Sequence, residues 1–255
     1  MALPPELKKR INPVYTPPER YDTGIESFDI WTGGLPHDLV IIYGDAGAGK
    51  SMLCREIAKH SKKCLYFCCE VLRDAPPHSQ YPNVDTIDYT RYRVNHKRAI
   101  QELGMFIDEL KPELVIIDSV TSFFGITTKA VSEADIRDCV FQVHAMYSGK
   151  MPIIGISEMR GSGYNKSLAG GPGVAHGNGM LIEMDHIFIR FPSEAEVYKK
   201  KVGDDVYTIR VVKDKDGLAN TKVGEVIYRD GELIIEPLLK RSDNGSIQSS
   251  WDGLE

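Results

Sequence analysis

VIIYGDAGAGKSMLC, residues 40–54, opens on β-branched and aromatic residues, breaks into glycines, and resumes as residues suited to a helix. Gly44, four residues, then Gly49-Lys50-Ser51 is the phosphate-binding loop pattern, here in the strand–turn–helix setting that it requires. Each residue type has a physical reason. Glycines let backbone N–H groups turn inward around a phosphate, and the following helix aims its positive N-terminal end at the same anion. Lys50 can reach the β- and γ-phosphates, and the Ser51 hydroxyl can ligate Mg²⁺. The nucleotide-binding residues are therefore expected to be Gly44, Asp45, Ala46, Gly47, Ala48, Gly49, Lys50, Ser51 and Met52.

Such a loop needs a second magnesium group. The hydrophobic run ELVIIDSV ends in Asp118, where a carboxylate at the C-terminal edge of a sheet meets the metal's water shell. Alone, a strand-end aspartate can equally cap a turn. Hydrolysis also needs a group to deprotonate or orient water. Glu70 closes the strand CLYFCCE and is the candidate base, the alternative being a solvated acid in a loop.

Elsewhere VIIYG, CLYFC, NVDTIDY, ELVIIDS and PIIGIS read as short strands, with helices expected over 51–61, 95–110 and 132–148. Strands alternating with helices predict an α/β fold, a mainly parallel sheet covered on both faces. After Met184, HIFIRF, DVYTIRVV and GEVIYRDGELIIEP read as an antiparallel appendage, with Asp230-Gly231 as a hairpin turn. Residues 1–20 hold Pro4, Pro5, Pro13, Pro17 and Pro18 and are expected to form an extended arm. One ATPase-sized domain spans 21–239, and polar residues 240–255 read as a disordered tail.

Of 255 residues 42% are hydrophobic and 26% charged, with a net charge of −5, which excludes a constitutive nucleic-acid binder of the histone type and leaves only a local basic patch for such contacts. No apolar run reaches the ~18 residues of a membrane span, so a cytoplasmic location is expected. Cys54, Cys64, Cys68, Cys69 and Cys139 read as small buried side chains in a reducing compartment; neighbours Cys68 and Cys69 point to opposite faces of a strand.

The order of parts resembles the RecA-like ATPases, especially archaeal RadA and its paralogues and the KaiC-like group. TGIESFDIWTGGLPHDLVIIYGDAGAGKS is similar to their opening, ELVIIDSVTSFFG to their magnesium strand, and PIIGISEMRG to their sensor strand. GGPGVAHGNGMLIEMDHIFIRF resembles a KaiC-like segment, and GEVIYRDGELI the recombinase hairpin; the likeness covers roughly 21–237. It implies a RecA-like core, ATP with Mg²⁺, and assembly into homo-oligomeric rings or filaments. It carries Glu70 onto the catalytic glutamate, and Ser157 and Glu158 onto a sensor of the γ-phosphate. No Asn-Lys-x-Asp motif for guanine is present.

Three functions stay open: a DNA-linked ATPase of the recombinase-paralogue type acting in DNA repair, a KaiC-like regulatory ATPase or autokinase acting on protein partners, and a pseudo-ATPase. Lys213 and Lys215 in VYTIRVVKDKDG can serve as a finger inserted into a neighbouring subunit, or as a solvated hairpin tip. Residues 160–179 hold seven glycines in twenty positions, read as a long functional loop. Arg160 and Lys166 can meet phosphates and Tyr164 can stack on a base of single-stranded DNA; a protein-binding loop is the other reading.

Overall fold

The computed structural model describes residues 19–70, 72, 75–91, 96–124, 133–160, 167–168, 179–186, 206–214, 223–229, 232–237, 240–241 and 247–248. Along the chain run α1 (Glu26–Thr32), β1 (Leu39–Gly44), α2 (Lys50–His60), β2 (Cys64–Cys68) and β3 (Val84–Asp88). Next come α3 (His96–Leu110), β4 (Leu114–Asp118), α4 (Val120–Phe123), α5 (Glu133–Tyr147) and β5 (Ile153–Arg160). Strands β6 (Ser167–Leu168), β7 (Met180–His186), β8 (Val206–Asp214), β9 (Val223–Arg229) and β10 (Glu232–Pro237) follow.

Every residue of β1 and β2 is buried, because both strands lie inside a sheet ordered β3-β2-β4-β5-β1-β7-β8-β9-β10. From β3 to β7 the neighbours are parallel, and from β7 to β10 antiparallel. The result is a mixed α/β sheet, mostly parallel, with an antiparallel C-terminal part.

Alternation along the strands sorts side chains to two faces. On one face Val40, Ile42, Ile116, Ile154 and Ile182 pack with Phe28 and Trp31 of α1 and Leu53 and Ile57 of α2. On the other, Ile41, Val115 and Ile117 meet Leu103 of α3 and Val143 of α5. Helix α3 buries Ala99, Ile100, Leu103 and Ile107, a stripe at helical spacing. Burying each such aliphatic side chain contributes about 1.5–3 kcal/mol.

Two features differ from the sequence reading. Strand β7 is the sixth parallel strand and flanks β1, although the reading started the antiparallel part after Met184 and put no strand at 180–184. The loop read from 160 is also shorter at its start: β5 runs through Arg160, and Ser167–Leu168 folds back antiparallel on Met159 and Arg160. Alternating glycine and polar residues hide that pairing, since the partner rather than the local pattern defines it. In the segment read as a tail, Lys240–Arg241 pairs with Ile247–Gln248. Residues 1–18 of the expected arm lie outside the described residues. Arg20 bonds Gly34 O at 2.9 Å and the buried Asp214 at 3.0 Å.

The TGI…D…GG opening has a structural role. Thr23 donates from its amide to Asp29 at 3.1 Å and from its hydroxyl at 2.9 Å, which fixes the turn into α1. Gly33, at φ 76°, then ends the helix in the left-handed conformation. This segment braces the sheet and does not line the cleft described next.

Candidate nucleotide site

The strand register brings the chemistry to one edge. Gly44 of β1 is level with Glu158 of β5, Asp118 of β4 with Ile156 of β5, and Cys68 of β2 with Asp118. Strand β5 thus separates the phosphate-loop strand from the Asp118 strand. Beyond β2 the Cys69 amide still donates to the Asp118 carbonyl at 2.7 Å, which holds Glu70 beside Asp118. Ala46 to Met52, Arg55, Glu70, Asp118, Ser119, Ile156, Glu158 and Tyr207 line one cleft of about 370 Å³. A wider apolar groove of about 540 Å³ lies between β3 and α3 and contains none of these groups.

The loop is built as its sequence demands. Gly47 and Gly49 both take φ 79°. A Cβ on Gly44 would sit 1.8 Å from the Met184 carbonyl of β7, so no other residue fits there. At Gly49 a Cβ would come within 3.0 Å of the Tyr207 ring, which reaches across from the antiparallel part.

Lys50 is buried, and its ammonium donates to the carbonyls of Asp45 at 2.7 Å and Gly44 at 3.1 Å. Burial lowers its pKa, opposed by the charges of Glu158, Asp118, Asp45 and Glu70. Burial raises the Asp118 carboxyl, opposed by hydrogen bonds from Tyr66 and Ser51. Ser51 and Asp118 are thus adjacent oxygen donors of the kind Mg²⁺ takes. Glu70 accepts from Ser119 and, at 3.3 Å, from Ser122. Ser157 is fully buried at the level of Tyr43, one residue before Glu158.

Of the expected site residues, the cleft gathers the loop from Ala46 to Met52 with Glu70, Asp118 and Glu158, while Gly44 and Asp45 support it from below through Lys50. Lys213 lies apart: it is level with Leu181, at the opposite end of β8 from Tyr207. Arg160 ends β5, whereas Tyr164, Lys166 and Lys215 lie outside the described residues. Tyr66, Ser119, Thr121, Ser122, Arg55 and Tyr207 were not anticipated as site residues. SVTS, directly after Asp118, was the available signal, since three hydroxyls at a strand end can hold an acid from a neighbouring strand.

No protein-family model matches the chain. It is 35% identical over 89 residues to a tRNA threonylcarbamoyladenosine biosynthesis protein TsaE of Rickettsia typhi, covering 32% of this chain and 57% of that protein. It is 34% identical over 89 residues to the Rickettsia prowazekii TsaE, with the same coverage of 32% and 57%. A DNA repair protein RadA of Listeria monocytogenes is 28% identical over 130 residues, 48% of this chain and 28% of that protein. The chain thus spans little more than half the length of these TsaE proteins, at 57%, and 28% of that RadA. With the phosphate-loop sequence, these likenesses support a P-loop NTPase at most and no finer family. No helix among the described residues is long and apolar enough to cross a membrane.

Proposed function

We propose that the chain binds and hydrolyses ATP with Mg²⁺ through a RecA-like core, acts as a homo-oligomer, and couples turnover to single-stranded DNA in repair or recombination. The observation that carries the ATPase reading is the meeting of Lys50, Ser51, Asp118, Glu70 and Glu158 on one cleft beside the phosphate loop. Lys50 and the loop amides bind the phosphates, and Ser51 with Asp118 holds the metal. When bound, the metal neutralises charge developing on the transferring phosphoryl group. Glu70 activates water, while Glu158, on the strand between the phosphate-loop strand and that of Asp118, senses the γ-phosphate, with Ser157 buried behind it in the same strand. That interposed strand and the order of motifs support the RecA-like reading.

The DNA reading is supported by the likeness to a DNA repair protein over 48% of the chain, against 32% for the TsaE proteins. Arg160, at the end of the sensor strand, leads into Tyr164 and Lys166, which meet the nucleic acid.

ATP turnover with and without a single-stranded oligonucleotide, beside size-exclusion chromatography, tests this. Stimulated turnover by an oligomer is expected, with low-salt anisotropy binding that weakens in an Arg160/Tyr164/Lys166 triple alanine. Absence of turnover under every condition overturns the ATPase. Turnover indifferent to DNA, with no anisotropy change, moves the function to the KaiC-like class, to be read by phosphorylation of the protein itself.

A further inference from the structure

We propose that Ser119 is a positioning residue for hydrolysis, anchoring one oxygen of the Glu70 carboxylate so that the other is left to act on water. This rests on the reading of Glu70 as base. Ser119 is 1% exposed, whereas Glu70 stands exposed at the cleft. The Ser119 hydroxyl donates to Glu70 Oε1, and the Ser122 hydroxyl donates to the same oxygen at 3.3 Å.

A serine hydroxyl has one proton. With that proton on Glu70, the 2.8 Å contact between Ser119 Oγ and Thr121 Oγ1 has Thr121 as donor. The hydroxyls therefore form a directed chain, Thr121 to Ser119 to Glu70. The amide of Ser122 also donates to Ser119 Oγ at 3.4 Å, fixing the serine at the start of α4.

A free glutamate side chain samples many rotamers, and losing that freedom before the chemical step is what positioning supplies. The anchor is built into the metal site. Ser119 follows Asp118 directly, and the Cys69 amide clamps the segment ending in Glu70 to the Asp118 carbonyl. Metal carboxylate and base are thereby referenced to one point of backbone.

Single-turnover MgATP hydrolysis and equilibrium nucleotide binding are measured for Ser119→Ala, Ser119→Thr and Thr121→Val, and for Ser119→Ala combined with Glu70→Gln. Ser119→Ala is expected to slow hydrolysis by about 10–100-fold, the usual cost of losing a group that orients a reacting one. Nucleotide affinity stays within about twofold of wild type, a loss confined to the chemical step. Ser119→Thr regains most of the rate. Thr121→Val, which leaves the serine in its fold, shows a smaller loss of the same kind. In the Glu70→Gln background Ser119→Ala adds nothing, because residues acting as a unit are not additive.

An unchanged rate in Ser119→Ala, an equal further loss on top of Glu70→Gln, or a threonine no better than alanine overturns the proposal. Glu70→Gln hydrolysing at the wild-type rate removes the base reading itself, a result distinct from those three.

Discussion

The phenol of Tyr66 donates to Asp118 Oδ2 at 2.7 Å, from inside β2 to the end of β4. Burial first, and the Asp118 charge second, push the phenol far above its usual range, so it remains a donor at working pH. Its bond offsets part of the burial that raises the Asp118 carboxyl. Tyr66→Phe removes that offset, so Asp118 holds its proton to still higher pH. A proton on Asp118 competes with the metal. Magnesium titrations of turnover are expected to need about 10–100-fold more metal, the usual cost of losing a partner behind a ligand. The gap is widest at acid pH; an unmoved magnesium midpoint counts against the metal role of Asp118.

Lys50 is a cation facing Glu158, Asp118, Asp45 and Glu70. Lys50→Ala leaves these carboxylates without it and removes a fixed charge from the transferring phosphate. Turnover should fall about 10²-fold or more. Wild-type turnover in this variant would falsify the phosphate-loop reading.

Gly44 and Gly47 share a loop but face different constraints. Alanine at Gly44 meets the Met184 carbonyl, whereas a Cβ at Gly47 has nothing within 4 Å, leaving only its φ of 79°. Gly44→Ala forces β1 from β7 and is expected to cost more than about 3 kcal/mol, and Gly47→Ala about 1–2 kcal/mol. Denaturant melts of the two variants read the difference; equal losses argue against close packing of the loop on β7.

The Asp29 carboxyl is raised to about 6, chiefly by burial and then by sharing a proton with Asp22, while Thr23 pulls the other way. Its value in an unfolded chain is about 3.9. Between those values the folded state binds more protons, so stability from this group is present below about pH 4 and lost as pH rises to about 6. Asp29→Asn keeps the shape without the charge. Its melting temperature should fall less than that of wild type between pH 4.5 and 7. Parallel curves would show that Asp29 does not titrate there.

Lys213 lies at the end of β8 remote from its own phosphate loop, so a role at an ATP site requires a neighbouring subunit. Mixing Lys50→Ala subunits with Lys213→Ala/Lys215→Ala subunits tests for a finger in trans. Rescued turnover is the expected result; mixed oligomers without rescue end the idea.

What was legible in the sequence follows its physics. VIIYG, CLYFC and the LVII of residues 114–117 lack charged residues because strands buried on two faces must, and Gly44 to Ser51 announces a phosphate loop by backbone need alone. Helices α2, α3 and α5 came within a residue or two, carried by their apolar spacing. Strand β7 was missed because MLIEMDH mixes acids with apolar residues, and only its pairing with Val40 to Gly44 defines it. The hydroxyl cluster around Glu70 was hidden for a related reason. Ser119 and Glu70 are far apart in the chain, and their contact exists only once β2 and β4 are neighbours.

The central position of β1 has a consequence for how the molecule is made. Leu39 pairs with Ile153 and Val40 with Met180, so both neighbours of the phosphate-loop strand are synthesised long after it. At roughly 5–20 residues per second, translation leaves Val40 to Tyr43 without strand partners for on the order of ten seconds. Long-range parallel pairing of this kind is slow and leaves apolar strand edges open meanwhile. A nascent chain halted before Ile153 should therefore carry the whole phosphate-loop motif yet fail to retain nucleotide, and should be a substrate for chaperones.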